Sequence, residues 1–440
     1  MRNRNLLLIL CCLARFTFAQ SLVQSKVALG ERAFTASKIY SLLQLYFSGW
    51  KTLPELDPDI AYRNYLEKAL ASDDRRLFDL TTMEFVARLR NGHTVFSDSW
   101  LTQNYGQPMG FYARPLEGKW VVESSAVQGL KPGDVLSMID DTDLETFFRQ
   151  QQKYISGSSE AGQRHNFFFL SYLFPQQFTL ALVDGRTVTV ARAGNKPPSI
   201  KTIPEGRWIK QDAVAYIRIP SFANLSSEEK SLAFVVQFQK AKTLIIDVRN
   251  NPGGLSQRRL VDALMDSTYH NWKESTPIHI SLFDYYGQTY KGQQPKSKEI
   301  TDFERGFMSS FDLFGDSQLI WGGERILPRA PVFHGQMIFL VDGGCASACE
   351  DLLEPFKESG RGTLIGETTE GTSGPGYSHD FGNGMTLGIA IKRRYFPDGS
   401  EFEGIGIKPD IEIHSSVQDL KDGKDPVLDK AVELIEKASP

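Results

Sequence analysis

The chain has 440 residues, of which 41% are hydrophobic and 23% are charged, a composition typical of a globular protein with two or three domains. Its 49 Lys and Arg against 53 Asp and Glu give a net charge of -4. Because no strong electrostatic field would attract nucleic acid or anionic lipid, we expect neither as a partner.

The N-terminus has the pattern of a secretory signal peptide. Arg2 and Arg4 precede an apolar run at residues 6–13, and the small residues Thr17 and Ala19 follow. The run is shorter than the roughly 20 apolar residues that span a bilayer. We therefore expect residues 1–19 to be removed, the mature chain to have no membrane span, and the protein to be exported to the periplasm or beyond.

Two regions precede the C-terminal half of the chain. In residues 20–98 the apolar residues recur at helical spacing, which predicts a helical N-terminal domain. Residues 99–196 show short alternating strands and a Gly-Leu-Lys-Pro-Gly-Asp turn, and they resemble the PDZ domains of proteases. That resemblance implies that a peptide end adds as a strand beside Gly110 and Phe111. An unrelated small β domain is the alternative.

Residues 197–440 alternate buried strands with helices, which predicts an α/β domain with a mixed sheet and makes the whole chain a multidomain α/β protein. Residues 285–327 lack a clear period and are predicted to form an insertion or long loop. The predicted strands are 213–219, 243–248, 336–341 and 363–365, and the predicted helices are 227–239, 256–265 and 346–358.

Ser347 is the strongest candidate nucleophile. The predicted strand 336–341 runs through Asp342-Gly-Gly-Cys-Ala into Ser347 at the start of a helix, where the helix N-terminus favours developing negative charge. The amide of Ala348 can point at an oxyanion. The alternative is a serine that only caps the helix. The segment differs from the Gly-x-Ser-x-Gly elbow because two residues separate Gly344 from Ser347.

A second glycine loop follows the predicted strand 243–248. It reads Asn250-Asn-Pro-Gly-Gly254, and two such loops at the carboxyl ends of parallel strands would flank one crevice. Gly253 and Gly254 can present bare amides to an oxyanion, or they can form a tight strand-to-helix turn. We expect Arg249 to brace this loop by pairing with a carboxylate. No Gly-Lys-Ser/Thr follows, which excludes a phosphate loop.

Cys345 and Cys349 flank Ser347 and are the only cysteines after the signal peptide. Export favours a disulfide between them. Four-residue spacing on a helix suits such a bridge poorly, so two buried thiols are an equal alternative.

Five segments of the C-terminal half together resemble the tail-specific, or C-terminal-processing, serine proteases, and within them the tricorn-like subgroup. They are residues 216–222, 246–254, 344–350, 365–372 and 403–410. The resemblance implies a serine endopeptidase that forms an acyl-enzyme, needs no cofactor and no metal, and acts on peptides or protein tails. A non-catalytic ligand- or peptide-binding protein on the same scaffold is the alternative function.

The resemblance also implies the partners of Ser347. One branch of the family uses a lysine base, and Thr372 stands at the position of that lysine. The tricorn-like branch uses a histidine after the N-terminal helices and a glutamate before a Gly-Ile-x-Pro-Asp element, which are His93 and Glu403 here. A histidine would take the serine proton and the carboxylate would orient the imidazole.

Two features leave this assignment open. The tricorn-like proteins carry a serine just before the histidine, whereas this chain has Gly92, so Glu403 would hold His93 either directly or through an intermediary. His93 alone could be a helix-end histidine that caps carbonyl groups. His379 is the rival base.

Overall fold

The structure is a computed structural model that describes residues 25–196, 202–277, 318–328, 331–374 and 376–438. The predicted signal peptide and most of the predicted insertion lie outside these ranges. None of the helices in the described ranges combines the length and the apolar character needed to cross a membrane.

Three helices open the described chain, with a short 3-10 turn between the first two. The Asp57 carboxylate accepts the amides of Asp59 and Ile60, and the Asp74 carboxylate accepts the amide of Leu77, so both acids cap the helices that follow them. The elements are α1 (Leu29–Tyr46), the 3-10 turn Trp50–Thr52, α2 (Pro58–Leu70), α3 (Arg75–Ala87) and β1 (Val95–Asp98).

The middle region forms an antiparallel sheet, the middle sheet, in the order β2-β3-β4-β6-β7, with β5 paired to β4. Its core is rich in aromatic rings, among them Trp120, Phe148 and Phe167. The elements are α4 (Ser99–Tyr105), β2 (Phe111–Leu116), β3 (Lys119–Ser125), β4 (Val135–Ile139), β5 (Thr142–Asp143), α5 (Leu144–Gln151), α6 (Glu160–Asn166), β6 (Gln177–Leu182) and β7 (Thr187–Ala191), with 3-10 turns at Gln152–Tyr154, Phe167–Phe169 and Ser171–Leu173.

The C-terminal half forms a six-stranded sheet, the central sheet, whose strands are parallel except for its first strand in the chain. This arrangement confirms the predicted mixed α/β fold. Its strands in spatial order are β20 (Ile411–Glu412), β16 (Thr363–Gly366), β15 (Gln336–Val341), β10 (Thr243–Asp247), β9 (Val214–Arg218) and the antiparallel β8 (Glu205–Lys210), and its helices are α7 (Leu225–Gln237), α8 (Arg258–Leu264), α9 (Ala348–Ser359), α10 (Val417–Asp422) and α11 (Pro426–Ala438).

The central sheet is covered on both faces. Along β15, Phe339 and Val341 pack into the core on one face, while Ile338 and Leu340 pack against α11 on the other. A strand buried on both faces has a continuous apolar run, which is why the sequence predicts these strands well. Each predicted strand and helix of this half is present, with ends within two residues of the prediction.

Short strands complete the C-terminal half. β11 pairs with β14, and β12 lies between β13 and β19, so the described part of the predicted insertion contains strand rather than loop alone. These strands are β11 (Tyr269–His270), β12 (Lys273–Pro277), β13 (Gln318–Gly322), β14 (Arg325–Ile326), β17 (Gly376–Asp380), β18 (Met385–Ala390) and β19 (Arg393–Tyr395).

The N-terminal helices are joined to the C-terminal half through β1. This strand pairs antiparallel with β18, whose residues Met385, Leu387 and Ile389 share a core with α1 and α3. At the end of β1, the Asp98 carboxylate accepts from the Arg75 guanidinium of α3 at 2.6 and 3.0 Å. The short segment between α3 and β1 is therefore held at both ends.

Candidate active site

Ser347 lies on a sharp turn between β15 and α9. Its backbone has φ 56° and ψ -124°, a region that L-residues rarely adopt and that costs roughly 1–3 kcal/mol. The Ser347 amide donates to the Thr372 carbonyl at 2.8 Å and to Glu350 Oε2 at 3.2 Å, which holds the strained turn. The chain thus places a half-buried serine on a strained turn at the start of a helix without the Gly-x-Ser-x-Gly sequence.

His93 is the nearest base to Ser347. It lies in the segment between α3 and β1, where its amide donates to Asn91 Oδ1 at 3.0 Å, and its Nε2 is 3.2 Å from Ser347 Oγ. Burial lowers the pKa of His93, and the nearby Asp351 partly opposes this. The imidazole is therefore neutral near pH 7 and within reach of the serine proton.

Two hydroxyl groups stand between His93 and Glu403. His93 Nδ1 is 3.2 Å from Thr372 Oγ1, and Ser158 Oγ is 3.2 Å from Thr372 Oγ1 and 3.3 Å from Glu403 Oε2. The sequence left open whether Glu403 would hold His93 directly or through an intermediary. In the structure, the Thr372 and Ser158 side chains lie between the carboxylate and the imidazole. Sequence reasoning noted Thr372 only for the missing lysine and did not find Ser158.

Glu403 is buried at the end of this chain of contacts. Burial raises its pKa to about 7, while Arg393 and hydrogen bonds from the Ser373 amide and Ser158 act in the opposite direction. Glu403 is therefore a mixture of acid and carboxylate near pH 7, and the share of the carboxylate rises with pH.

The glycine loop after β10 touches the nucleophile. A Cβ on Gly253 would lie 2.7 Å from both Ser347 Cβ and the Ala348 nitrogen. The Gly253 amide donates to Asn251 Oδ1 at 2.9 Å, so it is already engaged. For the amides of Gly254 and Ala348, no acceptor is found within the described parts of the chain. These two are the amides best placed to serve an oxyanion.

Arg249 braces the same loop, as expected, through two carboxylates. Its guanidinium contacts Asp247 at 2.6 and 3.0 Å and binds Asp425 through two bonds of 2.7 Å. The next amide, that of Asn250, donates to Asp342 Oδ1 at 2.9 Å. The loop after β10 and the loop before Ser347 are thereby tied together.

Cys345 and Cys349 are free thiols in the structure, and both are fully buried. Cys345 Sγ lies 3.2 Å from the Val248 carbonyl, which it can donate to. Burial raises the pKa of both thiols. Of the two alternatives that the sequence left open, the structure has the buried thiols.

The remaining candidates lie away from the Ser347 hydroxyl. His379 is on β17 against the ring of Phe381, and no hydrogen bond links it to Ser347 among the described residues. Gly110 and Phe111 are buried at the start of β2, where the Asn195 amide donates to the Met109 carbonyl.

Residues 213–413, which contain Ser347 and Glu403, match the model of peptidase family S41. This part of the chain is an S41 peptidase domain. The resemblance inferred from the five sequence segments is thus confirmed. His93 and Ser158 lie outside the matched residues, so the preceding regions contribute a histidine and a hydroxyl group to the surroundings of Ser347 and Glu403.

Two of the curated relatives that this chain matches are named as carboxyl-terminal-processing enzymes. It is 25% identical over 305 residues to the carboxyl-terminal-processing protease of Synechocystis sp., covering 67% of this chain and 57% of the relative. It is 22% identical over 219 residues to carboxyl-terminal-processing peptidase 3, chloroplastic, of Arabidopsis thaliana, covering 50% and 34%. The chain thus spans less than two thirds of the length of these relatives.

Solved structures share the fold over almost the whole chain. Mature CPAF is similar with a TM-score of 0.72 and 15% identity, covering 94% of this chain and 99% of that one. The photosystem II D1 C-terminal processing protease is similar with a TM-score of 0.52 and 18% identity, covering 87% and 93%.

Proposed function

We propose that the chain is a serine endopeptidase of the tail-specific type, which cleaves peptides or protein tails through an acyl-enzyme on Ser347. The observation that carries this proposal is the 3.2 Å contact between His93 Nε2 and Ser347 Oγ on a strained helix-start elbow. The relatives named as carboxyl-terminal-processing proteases support the same substrate class.

In the proposed mechanism, His93 takes the Ser347 proton as Oγ attacks the scissile carbonyl carbon. The resulting imidazolium then protonates the leaving amine, and a water attacks the acyl-enzyme with the same base. The oxyanion is stabilised by the amides of Gly254 and Ala348 and by the N-terminus of α9. Because burial lowers the pKa of His93, the neutral imidazole needed for the first step is available at neutral pH.

We also propose that residues 99–196 act as a PDZ-like domain that takes a peptide end beside Gly110 and Phe111. The position of β2 at the edge of the middle sheet supports this, because an edge strand can pair with an added peptide strand. The hydroxyl of Tyr112 on β2 lies 3.2 Å from the His165 carbonyl of α6. A peptide strand entering between β2 and α6 would have to open this contact.

Export remains part of the proposal and rests on residues 1–19 alone. Two arginines, an apolar run and small residues before Gln20 are the pattern of a cleaved secretory signal. The proposed location is periplasmic or extracellular.

Labelling with a fluorophosphonate serine probe tests the enzymatic proposal. We expect covalent modification of Ser347, located by peptide mapping, and none in Ser347→Ala. Ser359→Ala, at the other end of α9, is the matched control and should label as wild type does. Modification of another serine with Ser347 untouched would refute the nucleophile, and retained peptide binding without any labelling would favour a non-catalytic binding protein.

A further inference from the structure

We propose that Thr372 and Ser158 are positioning residues that connect His93 to Glu403, and that they take the place of the serine that the tricorn-like resemblance implies at the position of Gly92. The expected effect on catalysis rests on the proposed function, whereas the contacts among these side chains do not depend on it. The proposal assigns a role to one side chain of the S41 domain and to one from the region before it.

The contacts form an unbroken series of short steps. From Ser347 Oγ the series runs through His93, Thr372 and Ser158 to Glu403, with every step between 3.2 and 3.3 Å. Thr372 and Glu403 are buried, and Ser158 between them is half-buried. In such surroundings the orientation of a hydroxyl matters more than it would in water.

Gly92 is required by Thr372 rather than by the backbone. Its φ lies outside the left-handed range, so the local conformation would accept a side chain. A Cβ at this position would, however, lie 2.8 Å from Thr372 Oγ1. The threonine hydroxyl therefore occupies the space that a side chain at position 92 would enter, so a serine there would require Thr372 to move.

Thr372 is held rigidly in this orientation by Glu350 of α9. Glu350 Oε2 accepts the Thr372 amide at 3.0 Å, and Oε1 accepts the Gly371 amide at 2.8 Å. The Thr372 carbonyl in turn accepts the Ser347 amide at 2.8 Å. The nucleophile and the hydroxyl that faces the base are thus fixed to each other through backbone bonds.

Ser158 comes from the segment just before α6, so the middle region supplies part of the active site. Its Oγ accepts the Gly92 amide at 3.0 Å. The neighbouring Ser159 Oγ accepts the Gly162 amide and caps α6. A Cβ on Gly162 would lie 2.7 Å from Glu370 Oε1, so α6 packs directly against the loop that ends at Thr372.

This arrangement has a specific chemical use. When His93 becomes the imidazolium, its Nδ1–H needs an acceptor, and Thr372 Oγ1 is the atom in reach. Ser158 carries one hydroxyl proton. When that proton is donated to Glu403, the Thr372 hydroxyl can donate to Ser158 Oγ, and the carboxylate charge then acts on the imidazole through two oriented hydroxyl groups. When it is donated to Thr372 instead, the carboxylate is not linked to the imidazole. Glu403 need not accept a proton for this to work.

The test uses Thr372→Val, which removes the hydroxyl and nearly keeps the shape, and Ser158→Ala. For each we expect the rate of Ser347 labelling to fall roughly 10 to 10³-fold, with KM for a peptide little changed. The His93 pKa, followed by NMR, should fall further below its usual range because the imidazolium has lost its partner. Thr372→Ser should keep labelling within a few fold of wild type.

Ser159→Ala is the matched control for Ser158→Ala. It loses the α6 cap, and hence stability, but should keep the labelling rate and the His93 pKa. Labelling rates and a His93 pKa that stay at wild-type values in Thr372→Val and Ser158→Ala would overturn the inference. Wild-type protein that is never labelled at Ser347 would instead overturn the proposed function, since the His93 titration does not require acylation.

An exchange variant tests the same point in the opposite direction. Thr372→Ala should be slow, and Gly92→Ser added to it should raise the labelling rate by about tenfold or more, because a hydroxyl returns to the same space. Gly92→Ser alone should be slower than wild type, since its side chain meets Thr372. A double variant no faster than Thr372→Ala would contradict the inference.

Discussion

Among single residues, the buried carboxyl of Glu403 decides the pH at which the proposed site can work. Glu403 can stabilise the imidazolium of His93 only in its charged form, and burial raises the pKa of Glu403 to about 7. The pKa of His93 is lowered by burial, so the imidazole is already neutral where Glu403 ionises. Activity should therefore rise with pH near 7 because of Glu403 rather than His93.

Glu403→Gln tests this assignment by steady-state kinetics across pH. We expect kcat to fall roughly 10 to 10³-fold, less than the roughly 10⁴-fold known for a directly bonded carboxylate, with KM little changed. The ascending limb of kcat/KM should also move to lower pH, because only the lowered pKa of His93 then remains.

Glu401→Gln is the matched control, two residues away. Glu401 is exposed and pairs with Arg393 at 2.6 Å, the same arginine that acts on the Glu403 pKa, but Glu401 itself takes no part in the contacts between Ser347 and Glu403. For Glu401→Gln we expect kcat close to that of wild type and the ascending limb of kcat/KM at the same pH as in wild type. A greater loss in Glu401→Gln than in Glu403→Gln would mean that the carboxylate has been assigned to the wrong residue.

Sequence reasoning reached Ser347, His93 and Glu403 because each stands in or beside a recognisable motif. Ser158 has no such signal, since it follows a short turn in a different part of the chain and meets the site only through folding. Thr372 was noted only as the residue at the position of the missing lysine. Its link to Gly92 can be recognised only in the folded chain, where a Cβ on Gly92 would lie 2.8 Å from Thr372 Oγ1.

At the scale of the elements, the loop after β10 must approach the start of α9 closely. Gly253 has φ 84°, and a Cβ there would also lie 2.5 Å from the Ala346 carbonyl oxygen. We expect Gly253→Ala to lower Ser347 labelling by at least about 10²-fold, because the loop that carries the proposed oxyanion amide of Gly254 must move away. Probe kinetics on purified protein measures this.

Gly360→Ala separates backbone strain from this steric effect. Gly360 ends α9 with φ 65°, and a Cβ there would meet nothing within 4 Å. Gly360→Ala should lower the free energy of unfolding by about 1 kcal/mol, because alanine disfavours the left-handed conformation. It should leave the labelling rate unchanged. Equal labelling by the two glycine variants would show that close approach of the loop is not needed.

The helices and parallel strands of the central sheet were predictable because burial on both faces leaves continuous apolar runs and regular alternation. The pairing of β1 with β18 was not, although it brings His93 to Ser347. Their partners are nearly 300 residues apart, as in Asp98 with Met385, and no local pattern specifies such a pair.

Across the whole molecule, buried ionisable groups predict a stability that is highest in mildly acidic solution. Burial raises the pKa of Asp79 to about 9 and of Glu370 and Glu403 to about 7. These groups ionise at lower pH in the unfolded chain, so stability falls as pH rises. Burial lowers the pKa of His93 and His165, so stability also falls as pH drops below about 6.5.

Asp79→Asn tests the largest of these effects by denaturant unfolding at several pH values. Asp79 is buried on α3, and besides burial the neighbouring Asp98 carboxylate raises its pKa. Its ionisation should cost wild type up to about 1.4 kcal/mol per pH unit between pH 5 and 8. The free energy of unfolding of Asp79→Asn should lack that slope, so the variant should become more stable relative to wild type as pH rises toward 9.

Asp184→Asn serves as the control for this measurement. Asp184 is exposed, and its pKa is lowered by a hydrogen bond from Arg186, so its contribution is lost only in strong acid. Between pH 5 and 9 this variant should follow the wild-type slope. A wild-type slope in Asp79→Asn as well would mean that Asp79 does not carry the effect.

The central claim is that His93 activates Ser347, and peptide cleavage by His93→Ala beside His379→Ala tests it most directly. The account predicts that His93→Ala loses at least about 10³-fold in kcat while His379→Ala, on β17 against Phe381, keeps wild-type activity. Full activity in His93→Ala, with loss in His379→Ala, would contradict the account and move the base to the other histidine.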